Sequence, residues 1–189
     1  MSRPRFIDQN DILNAAEAVV VRDGAARLTL DAVAIEAGIS KASVIYDFKT
    51  KQALIKAVIE RRVQEDLDRI EAEIERLGPV ADARVRGRIA AAGAEISEET
   101  NAVAVSLCSA LAQDAEMRAL LQRSTREELE AIESASSDPR RAIVAFLAVE
   151  GLRSFEFLGI HTWPEPKRTQ ILSDIERLLD VAFTDPQST

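Results

Sequence analysis

The sequence predicts an all-α protein, with an N-terminal three-helix helix-turn-helix domain, a larger C-terminal helical bundle and about nine helices in all. Three observations carry that prediction. Only seven Gly and six Pro occur in 189 residues, and Ala, Leu, Ile, Arg and Glu dominate, a bias towards helix formers. No stretch alternates apolar and polar residues over a useful strand length, and no segment repeats at a fixed period. Finally, apolar residues recur at helical spacing between residues suited to start and stop a helix.

The first helix is expected from near Gln9 to Asp23, with Asp8 as its cap, Ile12, Ala16, Val19 and Val20 on one face, and Gly24 as its stop. Thr29 is placed to cap a short second helix carrying Val33, Ala34 and Ala37, with Asp31 in its favourable first turn and Gly38 beyond its end. Ser40 can cap a third helix and Thr50 a fourth. The fourth is long, about residues 51–77, or roughly 40 Å at 1.5 Å per residue. Its Leu54, Val58, Leu67, Ile70, Ile74 and Leu77 stay near one stripe until Gly78-Pro79 ends it. Further helices are expected over about 82–98, 101–113 and 115–135. The stretch Ser-Ala-Ser-Ser-Asp-Pro at 134–139 is a break, after which Asp138 caps a new helix and Pro139 takes its first position. That helix, about 139–159, carries Ile143, Phe146, Leu147, Phe155 and Leu158. After the corner Trp163-Pro164-Glu165-Pro166, a last one over 166–183 carries Ile171, Ile175, Leu178, Leu179 and Ala182.

Composition narrows the function classes. The net charge of −8 is unevenly spread: residues 1–63 hold ten Lys/Arg and eight Asp/Glu, a net of +2, and the remainder carries −10. An acidic body with a mildly basic head can still set positive charge against phosphates. The lone Cys108 and lone His161 give no internal disulfide, no metal-ligand constellation and no nucleophile–base pair. No catalytic residue, metal site or cofactor is therefore expected, and the chain reads as a non-enzyme. No run approaches the ~18 apolar residues of a membrane span, so the expected setting is cytoplasmic, with no membrane partner.

The most informative segment runs from Leu28 to Phe48, LTLDAVAIEAGISKASVIYDF. Two short helices must cross closely here. Ala34 is small at the crossing, Gly38 allows the positive φ of a tight turn, and Val33, Ala37, Ile39 and Val44 supply the contacts that fix the angle. A generic helical hairpin within a bundle is the alternative reading. Against it stands the polarity of the third helix, where Ser40, Lys41, Ala42, Ser43 and Tyr46 replace the Leu and Ile of a buried helix. Small residues there let the backbone approach base edges, and hydroxyls and Lys reach phosphates or bases.

From Ile12 to Glu60 the chain resembles the N-terminal domain of the TetR (tetracycline-repressor) family. The resemblance includes the Ile-Leu-x-Ala-Ala opening, the Thr before helix two, Ala-Gly-Ile-Ser-Lys, and Phe-Lys-Thr-Lys-Gln-Ala-Leu. It implies a homodimeric repressor that binds a roughly palindromic DNA operator and releases it when a small molecule occupies each C-terminal domain. On that basis residues 1–50 form the DNA-binding domain, helix four (51–77) connects, and 78–189 form the ligand-binding and dimerisation domain. Matched position by position, Thr29 meets phosphate at the start of helix two, beside Ser40 at the start of the reading helix. Lys41, Ala42, Ser43 and Ile45 face the major groove, and Tyr46 and Lys51 bond phosphates. Phe48 and Leu54 pack helix four against the head. Two positions depart from the family pattern. Ile45 replaces a common Tyr and offers a thymine methyl an apolar contact instead. Asp47 stands where an aromatic or His is common, and either pairs with Lys49 or Lys51 in solvent or accepts from a cytosine amino group.

The C-terminal part is less legible. Val103, Leu107 and Leu111, with Phe146 and Phe155, are candidate pocket residues, the alternative being plain core or subunit interface. Gly151, Ser154, Leu158, Ile175 and Leu178 are candidate dimer contacts, since the two last helices show wide apolar faces and Gly151 and Ser154 permit close approach. Neutral hydrogen-bonding side chains are scarce in the apolar segments, which points to an apolar or amphipathic effector. Cys108 reads as a buried thiol or a redox sensor, and His161 as a helix-end cation or a pocket contact. The carboxylates from Glu65 to Glu75 read as a solvated helix face, and Arg3 and Arg5 as an untethered terminus or a DNA-touching arm.

Overall fold

The computed structural model describes residues 8–94 and 115–181, and its described residues form eight α-helices and no strand. These are α1 (Gln9–Asp23), α2 (Leu30–Ala37), α3 (Lys41–Asp47), α4 (Lys51–Leu77), α5 (Ala83–Ala92), α6 (Ala115–Ala135), α7 (Pro139–Phe157) and α8 (Glu165–Leu178). A 3-10 turn, Ala25–Arg27, lies between α1 and α2. The helix expected over 101–113 lies outside the described residues.

Local chemistry explains most of the boundaries. Asp8, Thr29 and Ser40 each accept a hydrogen bond from a backbone N–H in the first turn of α1, α2 and α3. Thr50 Oγ1 does the same for α4, accepting from Ala53 N at 3.0 Å, and Asp138 accepts from Arg141 N at 3.2 Å for α7. Two helices are shorter than expected. α5 stops at Ala92, because Gly93 follows with its N–H turned onto the last carbonyls. α8 ends at Leu178, and Leu179 just beyond it is buried in the core.

Two compact units divide the chain, and the boundary between Gln64 and Glu65 falls inside α4. In the N-terminal unit α1 packs on α2, and α2 on α3. Its core is Ile12, Ala16, Val19 and Val20 of α1 with Leu28, Val33, Val44, Leu54 and Val58, all nearly sealed from solvent. Glu17 is also buried there. Its carboxylate accepts from Arg62 Nε at 3.0 Å, pairs with Arg62 Nη2, and pairs with Arg61 Nη2 at 2.6 Å. This clamp fastens α1 to the first half of α4.

In the C-terminal unit α5 packs on α7 and α8, which also pack on each other. The core joins Val85 and Ile89 of α5, Ile132 of α6, Ala142, Phe146 and Val149 of α7, and Leu172 and Ile175 of α8. Charge enters this interior. Arg168 is buried and donates to both oxygens of buried Glu156, at 2.8 and 3.1 Å, and to Ala92 O at 2.5 Å. A second chain of ion pairs runs Arg84–Glu128–Arg88–Glu150–Arg153–Asp66, linking α5, α6, α7 and the second half of α4. Its Arg88 guanidinium lies 5.2 Å from the centroid of the Phe146 ring.

Candidate nucleic-acid interface

The turn between α2 and α3 shapes the site. Gly38 adopts the left-handed conformation at φ 65°, and Ile39 N donates to Ala34 O at 2.9 Å to close the end of α2. A Cβ at Gly38 would meet nothing within 4 Å, so backbone angle and not space selects glycine here. Ser40 then starts α3. Its Oγ accepts from Ser43 N at 3.1 Å and shares a hydrogen bond with Ser43 Oγ at 2.8 Å.

α3 buries one face and exposes the other. Val44 is fully buried, and Phe48 just beyond the helix is buried too. Lys41, Ala42, Ile45 and Tyr46 are exposed, Tyr46 at 86%. A seven-residue helix that shows solvent a cation, a methyl group, a branched apolar chain and a phenol is unusual as packing but suited to a groove. Ser43 is half-buried, because its hydroxyl turns back to Ser40.

Two further candidate residues stand at the starts of α2 and α4. Thr29 is exposed and its Oγ1 accepts from Ala32 N at 3.0 Å, which leaves the hydroxyl proton for an external acceptor. Lys51, at the first position of α4, donates to Ala26 O at 3.2 Å and so ties α4 to the 3-10 turn. Two carboxylates border α3. Asp31 Oδ2 accepts from Lys41 Nζ at 2.7 Å, and Asp47 Oδ1 accepts from Gln9 Nε2 at 3.1 Å. The Gln9 contact adds a partner for Asp47 from α1, and spacing along α3 and α4 alone could not suggest it.

The candidate effector and dimer residues divide differently. Val103, Leu107, Leu111 and Cys108 lie outside the described residues. Phe146 is buried in the core under Arg88, whereas Phe155 is exposed. The two are nine residues apart on α7, about two and a half turns, and so stand on opposite faces. Of the dimer candidates, Ser154 and Leu158 are exposed, and Gly151 is half-buried with nothing within 4 Å of a built Cβ. Leu178 is half-buried against the core, and Ile175 belongs to that core. His161 stacks edge-on against Trp163, with centroids 4.3 Å apart.

Sequence reasoning missed the charges inside. Glu17, Arg88, Glu156 and Arg168 are buried, and nothing in their neighbours along the chain announces it. Burial alone would push the Glu128 carboxyl up, but the Arg84 hydrogen bonds and the Arg88 and Arg84 charges hold it below the usual carboxylate range. Arg153 is drawn down by burial, yet the Asp66 carboxylate, with help from Glu150, keeps it above its ordinary value.

Residues 12–58 match the family model described as bacterial regulatory proteins, tetR family. Residues 82–180 match the model described as Tetracyclin repressor-like, C-terminal domain. Among solved structures, the chain is similar to a protein from Mesorhizobium loti assigned as a TetR-family transcriptional regulator, with 18% identity and a TM-score of 0.70 over 90% of this chain and 94% of that one. A transcriptional regulator from Rhodococcus sp. Rha1 gives 22% identity and a TM-score of 0.68 over 95% and 100% of the two chains. The multidrug binding protein EbrR, solved in complex with ethidium, gives 22% and 0.63 over 92% and 99%. No curated protein matches the chain.

Proposed function

Because the chain belongs to the tetR family of bacterial regulatory proteins, we propose that it is a homodimeric, ligand-responsive repressor of transcription. It grips a roughly palindromic operator and lets go when a small apolar or amphipathic effector enters the C-terminal unit. The observation that carries the DNA-binding half is the outward face of α3, where Lys41, Ala42, Ile45 and Tyr46 are exposed. Ser40, Lys41, Ala42, Ser43 and Ile45 make the reading set, and Thr29, Tyr46 and Lys51 the phosphate set. Residues 1–50 are the reading head and 78–189 the sensing and dimerising body. The boundary between compact units inside α4 supports its role as the connector.

The dimer half rests on α7. Val144, Leu147, Gly151, Ser154 and Leu158 follow one another at spacings of three and four, so they share a stripe, and their large apolar members are exposed. A two-fold axis through such a stripe gives a self-complementary contact. Two heads then meet successive major grooves, roughly 34–36 Å apart. The effector acts only through tighter binding to the DNA-free arrangement, so DNA must weaken effector binding by the same factor. Such a regulator works in the cytoplasm, beside the genome.

The test is duplex binding measured against salt, since phosphate contacts must weaken as counterions are restored. Lys51→Ala is expected to weaken all duplexes and to flatten the salt slope by about one unit per head. Affinity indifferent to salt in the wild-type protein would refute the reading. A compound that raises the melting temperature should lower operator affinity, and a stabilising compound without that effect would remove the sensing half alone.

A further inference from the structure

On the reading surface, the ammonium of Lys41 is held by a carboxylate. Lys41 Nζ donates to Asp31 Oδ2 at 2.7 Å, with side chains 53% and 60% exposed. The two sit at the starts of successive helices, Lys41 at the first position of α3 and Asp31 in the first turn of α2. The N-terminal end of α2 favours an anion, whereas that of α3 disfavours a cation, so the pair offsets what Lys41 would cost alone. An exposed pair of this kind is weak and exchanges readily. It constrains what Lys41 can do next more than it stabilises the fold.

We propose that Asp31 is a specificity-determining residue: its carboxylate occupies Lys41 in the DNA-free head and discriminates against phosphate in favour of a base edge. The inference rests on the DNA-binding reading above. A phosphate oxygen bonded to Lys41 in this position stands within about 6 Å of the Asp31 oxygen, inside the screening length of about 8 Å at physiological salt. Anion then faces anion, and every sequence carries that repulsion, because every duplex presents phosphates. Guanine O6 and N7 are neutral acceptors and favoured partners of Lys. At such an edge the ammonium can bridge base and carboxylate without bringing two negative charges together. Asp31 therefore weakens non-specific contacts more than specific ones.

The experiment uses the full chain and two duplexes of equal length, one selected from a randomised pool by the wild-type protein and one a scramble of it. Asp31→Asn keeps size and polarity and removes the charge. It is expected to bind the scramble about three- to tenfold more tightly at low salt. The selected duplex gains less, so the affinity ratio falls. In a Lys41→Ala background the same Asn substitution should leave the ratio nearly unmoved, which a general gain of positive charge would not do. Thermal unfolding of each variant confirms that the head is folded. An unchanged or larger ratio in Asp31→Asn overturns the proposal, as does an equal fall in the Lys41→Ala background. Salt-insensitive binding by the wild-type protein would instead overturn the DNA-binding reading, and this inference with it.

Discussion

Gly87 has no room for a side chain. A Cβ built on it would stand 2.4 Å from Ile74 Cγ1, 3.1 Å from Ile74 N and 3.3 Å from Ile70 O. Cγ1 of a β-branched side chain on a helix has little freedom at χ1, and the two backbone atoms of α4 yield only if the helix shifts. Gly87→Ala should gain up to about 1 kcal/mol in helix propensity and lose about 1–3 kcal/mol to overpacking. A melting temperature several degrees lower is the expected outcome, and an equal or higher one would mean that α4 and α5 are not in such close contact. Gly87 drew no attention in the sequence, because a glycine chosen for contact across helices looks like any other. The capping residues Asp8, Thr29, Ser40, Thr50 and Asp138 were legible, because a cap acts on a backbone N–H only two or three residues away. Glu17 was not, because its partner Arg62 lies 45 positions along the chain.

Helices show the same division between local and distant causes. The ends of α1, α2 and α4 fall where caps and glycines put them, and the polar, exposed face of α3 follows from its own residue types. What each helix of the C-terminal unit turns inward was not recognisable. Phe146 and Phe155 look alike in sequence, yet only the first faces the core. Arg88 is buried because Glu128 of α6 and Glu150 of α7 meet it there. That ion-pair chain gives the unit a pH dependence. Glu128 is held below the ordinary carboxylate range in the folded protein, so it contributes stability above its unfolded value of about 4.3. The contribution is lost as pH falls through the lower folded value. Glu128→Gln should therefore be less stable than wild type at neutral pH, because it takes the carboxylate charge from Arg84 and from buried Arg88, and the gap should narrow as pH falls below the unfolded value. Urea midpoints measured across that range decide it. A gap that stayed constant with pH would show that the carboxylate charge is not what holds α5 to α6.

The proposed dimer can be tested on a surface that the single chain leaves exposed. Leu147 is 59% exposed at the centre of the α7 stripe, so a charge there costs the lone protomer little and the dimer a great deal. Leu147→Glu should sediment and scatter as a folded monomer, with operator affinity lost because two heads no longer arrive together. A folded dimer from that variant would place the interface elsewhere. Leu178 is a poorer position for the same experiment, since it already packs against the core of its own chain. The two units also differ in a way that serves spectroscopy. Trp163, with His161 set edge-on against its ring, is the only tryptophan in the sequence, and Tyr46 the only tyrosine. The indole belongs to the C-terminal unit and the exposed phenol to α3. Light absorbed at the red edge of the protein spectrum is therefore emitted from one known site beside one known imidazole, and phenol absorbance comes from another. A change in the surroundings of Trp163 can thus be followed by its own emission, in the native protein and without a label.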